Sequence, residues 1–149
     1  MCLKWQDMLL EGMEVSQRID RSLNLRVQTV SGVVAEEELL GYLRQLYAAP
    51  DFEPGLNVIW DFRAADLSQF SLSKVVKVRD YIEKFLNKPK PHMAALVVSS
   101  SADFALTSMF ETLMKSPSVS TRVFFDILEA EDWVAQSKRQ CRIIQPPKP

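Results

Sequence analysis

The chain has 149 residues, 47% of them hydrophobic and 25% charged, and a formal net charge of -1. That length suits one domain with a full core, and the composition is that of an ordinary globular protein. A near-neutral balance argues against a dedicated nucleic-acid binder, which needs a basic surplus to displace counterions from phosphates.

The two cysteines, Cys2 and Cys141, lie near opposite ends and make no disulfide framework, so a reducing cytoplasm is the expected compartment. The opening MCLKWQDMLLEGMEV carries charges inside its apolar stretch and lacks a small-residue cleavage site, unlike a signal peptide. No run reaches the roughly 20 apolar residues of a membrane span.

Residues 1–12 read as a short amphipathic helix or a ragged arm, with Leu3, Leu9 and Leu10 needing cover. Met13, Val15 and Ile19 then fall on one parity, with Glu14, Ser16 and Arg18 on the other, the pattern of a half-buried strand. After the polar turn Asp20–Ser22, Leu23, Leu25 and Val27 alternate with Asn24, Arg26 and Gln28, completing an antiparallel hairpin. Gly32 is expected to end the second strand. Glu36, Glu37 and Glu38 open a helix where negative charge suits the dipole. Its stripe is Leu39, Leu40, Leu43, Leu46 and Tyr47, closed by Ala48-Ala49-Pro50.

The central run is Leu56–Phe62, LNVIWDF, in which consecutive apolar residues predict a strand covered on both faces. Asp61 stands at its carboxyl end, followed by the loop RAADLSQFS. A second helix is predicted over about Ser71–Leu86, with Leu72, Val75, Val76, Ile82, Phe85 and Leu86 as its apolar face and Asn87-Lys88-Pro89 as its stop. Met93–Val98 is the next strand, and Ser100 with Asp103 matches a capping box for a third helix. The stripe of that helix is Leu106, Met109, Phe110, Leu113 and Met114. Arg122–Ile127 reads as a last strand, and Ala130, Trp133 and Val134 as a short final helix before a loose tail from about Arg139. The expected architecture is α/β: a single mixed sheet of about five strands with about four helices, the N-terminal hairpin antiparallel and the later strands parallel. One domain is expected, with its core at about residues 14–136.

Conventional chemistry is poorly supplied. Four glycines form neither a phosphate loop nor a dinucleotide fingerprint, and there is no G-x-S-x-G elbow. One histidine and two distant cysteines do not make a zinc site, and neither a metal nor a cofactor is expected. At about 3.3 Å per strand residue, His92 and Ser99 stand roughly 20 Å apart at opposite ends of their strand, too far for a triad. His92 reads as an ordinary surface or loop histidine.

Ligands of open parallel sheets gather at the carboxyl ends of the strands. That edge collects Asp61, Arg63, Leu67, Ser68, Phe70, Ser99, Ser100 and Asp126 as candidates for ligand or partner binding. Local roles compete with this: Asp61 accepting from the following turn or pairing with Arg63, Asp126 holding the last helix, and the serines capping helices. Ser71 and Ser73, at the start of the second helix, are candidate phosphorylation sites, since a phosphate there meets unpaired N–H groups. The run from Lys74 to Lys90 is rich in lysine and arginine, either a solvated face or an attraction for anions.

The hairpin followed by SGVVAEEELLGYL, then NVIWDFRAADL, AALVVSS and VFFDILEAEDWV, resembles the SpoIIAA-like proteins of the STAS superfamily, specifically the STAS/SEC14-like group of small bacterial proteins. The resemblance covers about residues 14–136 and implies a STAS-like α/β fold. Relatives act as anti-sigma-factor antagonists, switched by a phosphoserine in an Asp-Ser-Ser/Thr-Gly motif. The matching stretch here, Ser71-Leu72-Ser73-Lys74, lacks the aspartate and glycine and places Leu72 at the acceptor position. SEC14-type relatives bind lipids in an apolar pocket. The leading expectation is a non-enzymatic regulatory module that engages a protein partner through the carboxyl edge and second helix. The alternative is a carrier of a small lipid or anionic ligand, favoured by a roomy pocket between the second helix and the sheet. An enzyme using Asp61 and Asp126 is the third reading. A homodimer through an exposed edge is a further possibility.

Overall fold

The structure, a computed structural model, describes residues 12–85 and 90–144, with 137–144 as backbone alone. The elements are β1 (Glu14–Asp20), β2 (Leu25–Val33), α1 (Glu36–Ala48), β3 (Asn57–Asp66), α2 (Leu72–Phe85), β4 (His92–Val97), α3 (Ser101–Leu113), β5 (Val119–Phe124) and α4 (Ile127–Ile144). They form one five-stranded sheet in the order β1-β2-β3-β4-β5, with β1 antiparallel to β2 and the other pairs parallel. The expected mixed sheet is therefore present. The predicted N-terminal arm, the stop after the second helix and the last five residues lie outside the described residues.

The strand order is sequential, and this decides where everything else goes. Right-handed crossovers that always advance in the same direction put every connecting helix on the same face. Accordingly Leu39 and Leu43 of α1, Val78 of α2, and Leu106 and Phe110 of α3 pack with Val30, Phe62, Leu96 and Val123. The other face is left for α4, whose Ala130 and Val134 close over Leu25, Val27, Ile59, Ala95 and Val97. No strand order reversal occurs, so the sheet lacks the switch-point crevice that usually holds ligands at a carboxyl edge.

Several boundaries differ from expectation. β3 continues past Phe62 to Asp66 because Ser31, Gly32 and Val33 of β2 keep pairing with it. Between Thr29↔Asp61 and Ser31↔Ala64, β3 has two residues opposite one of β2, a bulge that flips its parity. Gly32 lies inside β2 with φ of 82°, and a Cβ there would collide with the Gly12 carbonyl oxygen. Only glycine fits both constraints.

The last strand is Val119–Phe124, not Arg122–Ile127. Asp126 turns the chain by accepting from the Leu128 N–H at 2.8 Å, and Ile127 begins α4, which is longer than expected. In α2 the buried residues are Val75 and Val78, whereas Leu72 and Phe85 are exposed. In α3 Thr107 is buried and Met109 exposed, the Thr107 hydroxyl being satisfied by the Asp103 carbonyl at 2.8 Å. Ser100 caps α3 as predicted, accepting from the Asp103 N–H at 3.1 Å.

Candidate functional site

Strand register lines up Arg26, Val58, Ala94 and Thr121 in one row across the face that carries α1, α2 and α3. The adjoining row is Gln28, Trp60, Leu96 and Val123. Trp60 and Leu96 are large enough to meet the helices, but Val58 and Ala94 are not. Between the short row and the helix layer lies an apolar cavity of about 140 Å³. Leu43 and Tyr47 of α1, Ile82 of α2, and Phe110 of α3 contribute to its lining, and Phe52 and Pro54 of the preceding loop lie at the Arg26 end. A packed interior leaves few voids of this size. Apolar cavities of about 150 Å³ stay dry and take up molecules the size of benzene.

The polar residues of that face are the surprise. The alternation Leu25, Arg26, Val27, Gln28 predicts an outward-facing Arg26 and Gln28, yet both are buried, Arg26 to 5% exposure. β2 is an interior strand with α1 above it, so its polar parity faces a helix layer and not water. Gln28 is satisfied: its Oε1 accepts from the Tyr42 hydroxyl at 2.6 Å and its Nε2 donates to Gln17 at 2.8 Å. Arg26 Nη1 donates to the same Gln17 oxygen at 2.8 Å. Arg26 Nη2 and Thr121 Oγ1, both on residues that line the cavity, are buried and have no hydrogen-bond partner among the described residues. Burial pushes the Tyr42 phenol up, partly offset by the Arg26 charge and the bond to Gln28. Burial also raises Tyr47, reinforced by Tyr81 and opposed by Arg26. Tyr47 stacks on Phe85 at 4.7 Å and meets Phe52 edge-on at 5.2 Å, forming an aromatic seam between α1 and α2.

The predicted carboxyl-edge residues divide between two places. Leu67 and Phe70 line the cavity on the helix-layer side. Asp61 and Arg63 form a separate clasp. Asp61 Oδ1 accepts from the Arg63 backbone N–H at 3.1 Å and from Nε at 2.9 Å, while Oδ2 accepts from Nη2 at 2.8 Å. Both local roles foreseen for Asp61 are thus realised together. Burial pushes its carboxyl up, but the Arg63 bonds and charge outweigh it and hold the group below the usual carboxylate range. Asp61 also raises Arg63, against a lowering by burial, and the charge of Asp126 adds slightly to the rise. Ser99 Oγ donates to the Arg63 carbonyl at 3.2 Å. An ionised carboxylate bound at both oxygens to a guanidinium is a poor proton donor or acceptor, and Asp126 is engaged at the head of α4.

Ser68 donates its N–H to Asp66 at 2.9 Å, and the Ser71 and Ser73 hydroxyls lie 3.0 Å apart on the surface. The Ser71 carbonyl accepts the first helical bond of α2, from Val75, placing it at the N-cap. Two residues of the basic run form ion pairs, Lys77 with Glu36, and Arg79 with Asp80 and Glu83. His92 begins β4 as expected but is half-buried at the cavity wall, Nδ1 lying 3.0 Å from the Lys90 carbonyl. Among the described residues no cluster of three or more His, Cys, Asp or Glu is placed to hold a metal ion, and no helix is long and apolar enough to cross a membrane. Sequence reasoning missed Arg26, Gln28, Tyr42 and Thr121.

The chain has a SpoIIAA-like α/β fold. Its structure resembles that of an uncharacterised DUF3478-family protein with a SpoIIAA-like fold from Shewanella loihica, with a TM-score of 0.54 and 17% identity over 83% of this chain and 94% of the other. Neither a protein-family model nor a curated protein matches the sequence.

Proposed function

We propose that the chain is a non-enzymatic binding module that holds a small apolar ligand between its three-helix layer and the sheet. The observation that carries this reading is the 140 Å³ apolar cavity above Val58 and Ala94. A void of this size forgoes dispersion contacts throughout its lining, a standing cost that a bound molecule would remove. Small-molecule sites are commonly concave and apolar, with a few convergent polar groups, which suits Arg26 and Thr121 at the two ends of the row. The test is native mass spectrometry of protein purified from its own host, with denaturing spectra alongside. A small molecule retained in the native state and lost on denaturation is expected. A mass equal to the bare chain in both spectra, together with no uptake of added apolar probes, would end the reading.

A second reading rests on a different observation. Leu72 at the head of α2 is 52% exposed, and Phe125 and Leu128 beside Asp126 are 52% and 65% exposed. Apolar groups of this kind at the carboxyl edge favour a protein partner there, with a regulatory role for the module. Substituting Leu72 and Leu128 with serine would abolish pull-down of such a partner while leaving the fold intact.

A further inference from the structure

The guanidinium of Arg26 is the feature of the cavity that apolar packing does not explain. A charge buried to 5% exposure needs a counterion or a full set of acceptors. Among the described residues the Arg26 side chain has one acceptor, Gln17, on Nη1, and its guanidinium lies 5.2 Å from the Phe52 ring centroid. No carboxylate among the described residues forms an ion pair with it. Glu53, the carboxylate on the cavity lining, is paired with Arg21 instead. Nη2 therefore presents unused donors within the buried lining.

We infer that the occupant of the cavity is a small apolar monocarboxylate, its tail over Val58 and Ala94 and its carboxylate accepting from Arg26 Nη2. This deepens the ligand-binding reading above and rests on it. One positive charge buried at an apolar site is balanced by one negative charge, whereas a dianionic phosphate would leave a buried surplus. An uncharged ligand of the same shape could accept from Nη2 through an oxygen but would leave the buried charge unbalanced. A cavity of about 140 Å³ sets the tail at a short chain or a single ring. Phe52 and Tyr47 stand at the charged end, so the pair is shielded from water, where such hydrogen bonds weaken.

The test is calorimetric titration of the full chain with pentanoate, 1-pentanol and monopentyl phosphate at fixed salt and neutral pH. Pentanoate is expected to bind at least about tenfold tighter than 1-pentanol, the margin that a charge-assisted pair adds over a hydrogen bond to a neutral hydroxyl. It is also expected to bind tighter than monopentyl phosphate. Arg26→Met keeps the length of the side chain and removes the charge; it should bring pentanoate down to the level of 1-pentanol. Equal affinities for pentanoate and 1-pentanol in the unaltered protein would overturn the assignment to Arg26 while leaving the cavity reading in place. Tighter binding of the phosphate would overturn the monocarboxylate. Binding of none of the three would remove the cavity reading as well. If circular dichroism shows Arg26→Met to be unfolded, the ratios in the unaltered protein decide the matter alone.

Discussion

The two faces of the sheet are built from alternate residues of the same strands, yet they have been filled in opposite ways. Under α4, Leu25, Val27, Ile59, Ala95 and Val97 meet Ala130 and Val134 in a closed apolar layer. Asp61, the buried acid at the carboxyl edge, is fully answered by Arg63. Under α1, α2 and α3 the strands offer Arg26, Gln28, Ala94 and Thr121, and a cavity remains. A sheet face covered by one helix can be matched residue by residue. A face spanned by three helices leaves room wherever a row of strand residues is short, and polar groups left along such a row mark what the room accepts. The comparison separates packing that serves the fold from packing that leaves a site.

If the α4 face is closed, it should be the less forgiving. Ile59→Ala is expected to cost about 2–5 kcal/mol in chemical denaturation, since its surroundings cannot collapse onto the space. A loss well under that range would mean this layer is as loose as the other. On the helix-layer face, Tyr42→Phe removes the donor to buried Gln28 Oε1 and should cost about 1–3 kcal/mol, more than an exposed hydroxyl would. A neutral result would show that water reaches Gln28.

Asp61→Asn tests the clasp at the edge between the faces. With Arg63 half exposed and partly screened, the loss at pH 7 should be about 1–2 kcal/mol. The sign with pH is fixed. The folded carboxyl sits below its usual range, so the unfolded chain binds the proton more tightly. The contribution is complete above the unfolded value of about 4 and fades as pH falls through the lower folded value. Urea denaturation of the two proteins should therefore give curves that approach one another towards pH 3; a constant gap would mean the carboxylate charge is irrelevant. The smallest effect belongs to Ser100→Ala, which removes the cap of α3 and should cost about 1 kcal/mol by the same measurement.

Much of the fold was legible because hydrophobic periodicity reports local burial. The hairpin, the three strand–helix units and the cap at Ser100 all follow from spacing. What spacing does not carry is strand order. The alternation around Arg26 looks like a half-exposed edge, and it becomes a buried polar row only because β2 is flanked by β1 and β3 and roofed by α1. The same limit applies to the candidate residues. Leu67 and Phe70 reach the cavity while Asp61 and Arg63 form their own clasp, and the bulge that shifts the parity of β3 after Asp61 has no mark in the sequence. Asp126 was legible as a helix-holding residue because an aspartate before ILEA has an evident local use.

Ala94 and Ala95 are neighbours in β4 that point to opposite faces, so one pair of variants measures both at once. In equilibrium unfolding, Ala95→Leu should lose about 1–3 kcal/mol through overpacking against α4. Ala94→Leu, which extends into the cavity, should match or exceed the parent protein by up to about 2 kcal/mol. Equal losses from the two substitutions would contradict the claim that the space above Ala94 is there to be filled.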